Sequence, residues 1–243
     1  MTKLIVPFFL TMLVMAACSQ APVDYEQLTV AELQKLAEQG DPAAQLDLGY
    51  RYFTGEGVPQ DHEEAVRWIR ASAEQGDPSA QYRLGFMYSE GEGVPQDPAE
   101  AVRWYRMAAE QGYADAQNQL GFSYRDGRGV PQDDTESARW FRAAAEQGNS
   151  SAQYLLGVRY GDGQGVPQDY VEAHKWFNLA SVDNVLSVAE QLKQILEHAV
   201  TRRDELAKKM TPGQLAEAQR LAAEWKPKPW EIIRQELKIG KPQ

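Results

Sequence analysis

The chain holds a single cysteine, Cys18, and three histidines in 243 residues. One thiol forms no internal disulfide, so packing alone must stabilise the fold. His62, His174 and His198 are far apart in sequence, and none belongs to a His-x-x-Glu-His or His-x-x-x-His pair. Metal ligation and histidine-centred catalysis therefore find no support. Basic side chains are also scarce, at 25 against 35 acidic, for a net charge of −10. That deficit argues against nucleic acid and against an anionic lipid surface as partners. The one sustained apolar run, from Leu4 to Met15, is shorter than the roughly 20 residues a membrane span requires.

That run begins just after Lys3 and ends in Ala16-Ala17-Cys18, which are the charged, apolar and small-residue regions of a secretion signal. Residues 1–17 are read as a signal peptide and 18–28 as a linker. The placement of Cys18 resembles the lipobox of bacterial lipoproteins, with Met15 where that family more often has Leu. The resemblance implies lipidation of the Cys18 thiol and an anchor of two or more acyl chains, enough for stable membrane attachment. Ser19 in the second mature position resembles an outer-membrane sorting signal. The implied location is the bacterial outer membrane, facing the periplasm.

The rest of the chain is dominated by a period of 36 residues. Gly-Val-Pro-Gln-Asp recurs at 57–61, 93–97, 129–133 and 165–169, and Trp68, Trp104, Trp140 and Trp176 each follow the Asp by seven residues. Sixteen of the nineteen glycines fall on repeat positions, which chance does not produce. A strict period of this size denotes a stacked array. Ala44, Leu48 and Tyr52, with their copies, form one helical stripe. Glycines 49, 85, 121 and 157 lie inside this first helix at a cost of about 1 kcal/mol each relative to Ala, which points to close helix approach. Ala65, Trp68, Ile69, Ser72 and Ala73 mark the buried face of a second helix. Asp61, Asp97, Asp133 and Asp169 are its N-caps, and Glu64, Glu100, Glu136 and Glu172 three residues on complete the pattern of a capping box.

Leu84-Gly85-x-x-Tyr88 followed by Ala101-x-x-x-Tyr105 resembles the tetratricopeptide signature. Ala-Gln at 44–45, 80–81, 116–117 and 152–153, the Gly-x-Gly-Val-Pro-Gln-Asp loop and the Ala-x-x-Trp of the second helix look like Sel-one-like repeats. The fold implied is all-α, a right-handed α-solenoid of helix-turn-helix repeats over 41–184. Ser137 stands in the third unit for the usual Ala, a small-for-small exchange. Thr29 to Glu32 reads as a further capping box, opening a lone capping helix over 29–40. Residues 185–226 read as C-terminal capping helices, with Val188, Leu192 and Leu196 continuing the period and Leu215, Ala218, Leu221, Ala222 and Trp225 facing inward. Lys226 to Trp230 is an extended linker. The segment 227–243 is taken as an extended tail, in which Ile232, Ile233 and Leu237 could dock as a short helix or fray.

No catalytic constellation emerges. The two-glycine loops carry acid where a phosphate cradle needs Lys or Ser/Thr, and a feature repeated four times is architectural. A cysteine-rich branch of the same repeats implies a penicillin-interacting enzyme, but the paired cysteines are absent here and no Ser-x-x-Lys occurs. What varies between units is the first-helix face opposite the apolar stripe, which in tetratricopeptide arrays is concave. It carries Tyr50, Phe53, Tyr82, Phe86, Asn118, Phe122, Arg125 and Tyr154, six of them aromatic, and exposed aromatic patches mark interaction sites. Tyr50, Phe86 and Phe122 occupy equivalent positions and are expected to form a ladder that binds a partner while contributing little to folding. The reading is a non-enzymatic scaffold without cofactor or metal that holds an envelope protein or peptide in this groove. The alternative is a glycan- or peptidoglycan-binding accessory protein that uses the same rings.

Cys18→Ser is expected to leave a soluble or uncleaved precursor. Incorporation of radiolabelled palmitate at the parental level would contradict it.

Overall fold

A computed structural model describes residues 24–181 and 190–240; the signal, Cys18 and Val188 lie outside the described residues. Those residues contain one 3₁₀ turn, Tyr25–Gln27, and twelve α-helices, with no strand. Four units pair a first with a second helix: α2 (Pro42–Thr54) with α3 (His62–Glu74), α4 (Pro78–Glu90) with α5 (Pro98–Glu110), α6 (Ala114–Asp126) with α7 (Asp134–Glu146), and α8 (Ser150–Asp162) with α9 (Tyr170–Ala180). The helix α1 (Val30–Glu38) precedes them, and α10 (Glu190–Ala207), α11 (Pro212–Glu224) and α12 (Trp230–Glu236) follow. From α1 to α10 each helix packs on its neighbour in sequence, giving an α-solenoid, whereas α11 packs back on α9 and α12 on α7.

Within a unit the helices meet at the helical glycine. A Cβ on Gly49 would stand 2.5 Å from Ile69, and one on Gly85, Gly121 or Gly157 would stand 2.5–2.8 Å from Tyr105, Phe141 or Phe177. The loss of helix propensity is thus offset by full burial of an aromatic or branched side chain against bare backbone. Between units, contact is made by the loop. Gly93, Gly129 and Gly165 have φ of 71–74° and lie against the carbonyls of His62, Pro98 and Asp134 in the preceding unit, too close to admit any side chain.

Glutamines link the same interfaces. Gln45, Gln81, Gln117 and Gln153 are buried, and their Nε2 groups donate to the carbonyls of Ala37, Ala73, Ala109 and Ala145 at the end of the preceding second helix, at 3.0–3.2 Å. Gln75, Gln111 and Gln147 in turn donate to the Oε1 of Gln45, Gln81 and Gln117, each at 2.7 Å. The Ala-Gln pair therefore satisfies a helix C-terminus that would otherwise be buried unpaired. On the second-helix side, Arg70 and Arg106 donate to the Tyr88 and Tyr124 hydroxyls of the next unit at 2.6 and 2.7 Å. Ser137 also finds its place, its hydroxyl donating to the Gly121 carbonyl at 2.8 Å.

Two expectations need correction. Asp61, Asp97, Asp133 and Asp169 do cap their helices, each accepting two backbone N–H groups, but the Glu three residues on does not close a capping box. The Asp backbone N–H is already engaged by the carbonyl of Tyr52, Tyr88, Tyr124 or Tyr160, at 2.8–2.9 Å. The freed Glu64, Glu100, Glu136 and Glu172 turn instead to Arg67, Arg103, Arg139 and Lys175 at 2.6–2.9 Å. Full boxes form at Thr29–Glu32 and Thr211–Gln214.

The second correction concerns 227–243. Residues 225–229 are extended, but α12 then docks on α5 and α7, burying Ile233 completely and Ile239 nearly so among Ala101, Ala108, Ala143 and Trp140. Small residues on the outer face of the second helices leave a depression that a branched side chain fills. α10 and α11 cover α9, with Ala199, Leu206, Ala218 and Ala222 buried. The side chains of Leu192 and Leu196 fall outside the described residues.

Trp104 is buried in the core shared by the first two units. Trp104→Ala should cost about 3–5 kcal/mol and lower the melting midpoint by at least about 6 °C. Gly129→Ala, which forces a Cβ onto the Pro98 carbonyl, should lower it as well. A midpoint within about 2 °C of the parent for either would refute the packing described.

Candidate functional site

The varying face of the first helices places its rings in clusters. Phe53 in α2 stacks on His62 at 4.8 Å between centroids. The guanidinium of Arg83 in α4 lies 4.0 Å from the Phe53 ring centre, 5.2 Å from Phe86 and 5.4 Å from Tyr50. A cation against three aromatic faces is held by the ring quadrupoles. Its Nε is buried without a hydrogen-bond partner, and Arg83 has no ion-pair partner among the described residues. Tyr82 lies 5.8 Å from Tyr105 and 5.3 Å from Tyr113. Further along, Phe122 meets Phe141 edge-on at 5.3 Å and is covered by Arg125, whose guanidinium pairs with Asp126. Tyr154 contacts Phe177 and His198.

The structure thus brings Tyr50, Phe53 and Phe86 together around one cation, and places Phe122 with Arg125 in a second group. The continuous ladder expected from equivalent positions divides accordingly. All six rings are half-buried, and Phe53, Tyr82, Phe86, Phe122 and Tyr154 each pack against the core of their own or the adjoining unit, so a negligible role in folding is not what the packing of these five describes. Asn118 is buried, with its Oδ1 unpaired. Burial pushes the hydroxyls of Tyr50 and Tyr82 above the ordinary phenol range, so both are neutral donors at physiological pH.

Arg83 was not singled out among the candidate residues. Its signal was a departure from the repeat, since the equivalent residues in the other units are Asp47, Gln119 and Leu155. Among the described residues no group of three or more His, Cys, Asp or Glu could hold a metal ion. No described helix is long and apolar enough to cross a membrane.

An array of stacked helix pairs with one varying face defines a repeat protein built for surface contact. The Sel1 repeat family model matches residues 42–77, 78–113, 114–149 and 150–181, and the chain belongs to the Sel1 repeat family. Proteins of this tetratricopeptide-related family are generally non-enzymatic protein-interaction scaffolds. Among solved structures, c5321, a protective antigen present in uropathogenic Escherichia coli strains displaying an SLR fold, is 35% identical with a TM-score of 0.71. The match covers 88% of this chain and 44% of that one. A Sel1 repeat protein from Oxalobacter formigenes is 40% identical with a TM-score of 0.60, over 70% of this chain and 48% of that one. The chain thus spans less than half the length of either structure. No curated protein matches.

His174 is buried in α9, and desolvation, aided by Arg203 and opposed by Asp204, lowers its pKa from the ordinary 6.5. Below pH 6.5 the unfolded chain takes up a proton that the folded chain resists, so this contribution is intact above that pH and is lost as pH falls. The melting midpoint should drop between pH 7.5 and 5, and His174→Leu should reduce that drop. An undiminished drop in the variant would assign the effect to other groups.

Proposed function

We propose that this protein is a non-enzymatic scaffold of the bacterial cell envelope, tethered through lipid on Cys18 at the outer membrane and facing the periplasm. It holds a protein or peptide segment along the varying face of its first helices, the concave side in tetratricopeptide-like arrays. The observation that carries the reading is Arg83, seated among Tyr50, Phe53 and Phe86 without an acidic partner among the described residues. The rings fix the guanidinium in advance, so little side-chain entropy remains to be lost when a carboxylate or a row of backbone carbonyls arrives. The same geometry favours peptide over glycan. Sugars stack on open ring faces, whereas Arg83 and His62 lie against the face of Phe53, Arg83 also covers Phe86, and Arg125 covers Phe122.

The test is affinity capture from detergent-solubilised envelope with the full lipidated chain as bait, alongside sedimentation with purified peptidoglycan sacculi. Arg83→Ala should reduce recovery of the specific protein partner about tenfold or more, as loss of a central arginine anchor commonly does, and sacculi should retain neither form. Equal recovery by parent and variant would remove Arg83 from the site. Retention by sacculi would favour the glycan reading.

A further inference from the structure

The C-terminal segment shows how the outer side of the array holds a peptide. As the chain leaves α11 it runs back over the ends of the second helices. Lys228 donates its N–H to the Glu146 carbonyl at 2.8 Å, and its Nζ lies 3.6 Å from the Glu146 carboxylate. The Trp230 indole sits directly on Gly112 and donates Nε1–H to the Glu110 carbonyl at 3.2 Å. Ile233 is buried between α5 and α7, and the Nε of Arg139 donates to the Leu237 carbonyl at 2.9 Å.

Every contact made by the array here comes from a repeat position. The Glu and Gly belong to the Ala-Glu-Gln-Gly corner, and the Arg precedes the repeated Trp. Thirty-six residues earlier stand Glu110, the Glu74 carbonyl, Gly76 and Arg103. These line a groove of about 970 Å³ that also takes in Met107 and Gly240, so it opens where the described tail ends. The glycine corners show which seats are filled. Gly112 is covered by Trp230, and Gly148 by Trp225 and Pro227, whereas nothing described lies within 4 Å of where a Cβ on Gly40 or Gly76 would stand, and of these two it is Gly76 that lines the groove.

The empty seat differs from the filled one in two ways that bear on its occupant. Met107 replaces Ala143 on the floor, giving a flexible thioether that adapts to varied apolar shapes. Glu110 has no ion-pair partner among the described residues, where Glu146 has Lys228, and burial pushes its carboxyl above the usual range.

We propose that the groove between α3 and α5 is a second docking site, for a partner segment of the tail's own chemistry: a basic residue and proline in extended conformation, then a short helix that opens on tryptophan and carries a branched apolar residue three positions after it. The basic residue pairs with Glu110, the indole sits on Gly76 and bonds the Glu74 carbonyl, and Arg103 takes a carbonyl of the helix. The site lies on the second-helix side and does not depend on the first-helix reading above.

A fluorescently labelled peptide copying Trp225–Gly240, titrated into the full chain, should bind saturably at one equivalent, with a Kd on the order of 10–100 µM for so small an interface. Glu110→Lys should weaken binding at least tenfold, and Arg103→Ala, at an exposed position, severalfold, with melting midpoints near the parent. A photo-crosslinker in place of the peptide's Trp230 should label the end of α3 around Glu74 to Gly76. Absence of binding up to millimolar peptide would overturn the proposal. So would crosslinking near Gly112, or binding strengthened by Glu146→Lys and indifferent to Glu110→Lys, since the peptide would then be displacing the chain's own tail.

Discussion

Successive units of this array stand at a separation that no side chain could share. Inside each unit a bare helical glycine receives the face of Ile69, Tyr105, Phe141 or Phe177, and between units a loop glycine rests on the carbonyl of the preceding helix start. Once the backbones are this close, the groups they trap must be satisfied by something short and directed. The glutamine relay does this for the second-helix C-termini, and the Asp caps do it for their N-termini. Packing and polar satisfaction thus recur together, which explains a motif so uniform over four copies.

A frame this constrained leaves few positions free to vary, and they fall on two sides. On the first-helix side Phe53, Phe86 and Phe122 pack against the core and also meet Arg83 or Arg125. On the second-helix side the Ala-Glu-Gln-Gly corners are uniform, but what covers them is not. The chain itself fills two corners, at Gly112 and Gly148, and leaves those at Gly40 and Gly76 open. Variation on one side is written in side chains, and on the other in occupancy.

The period, the helix pairs and the need for close approach at Gly49 and its copies could all be read from residue spacing, because each is enforced within one unit or between neighbours. The capping Glu could not be read correctly. The pattern Asp-x-x-Glu is local, but the competitor for the Asp N–H is the Tyr52 carbonyl, supplied from across the loop. The destination of Ile233 was equally hidden, since a short apolar cluster does not say which distant depression will accept it. Arg83 was visible only as a break in the pattern, and its three aromatic partners come from two different units.

The tail changes the order in which this protein can fold. An α-solenoid is made of contacts near in sequence, which form quickly and can begin in any unit. The bond from Trp230 to Glu110 closes a loop of 120 residues, and that from Arg139 to Leu237 one of 98. Those closures carry an entropic cost that neighbouring helices never meet. The array can therefore be assembled before its strap, with the second-helix corners of the middle units formed while the segment that will cover them is still undocked.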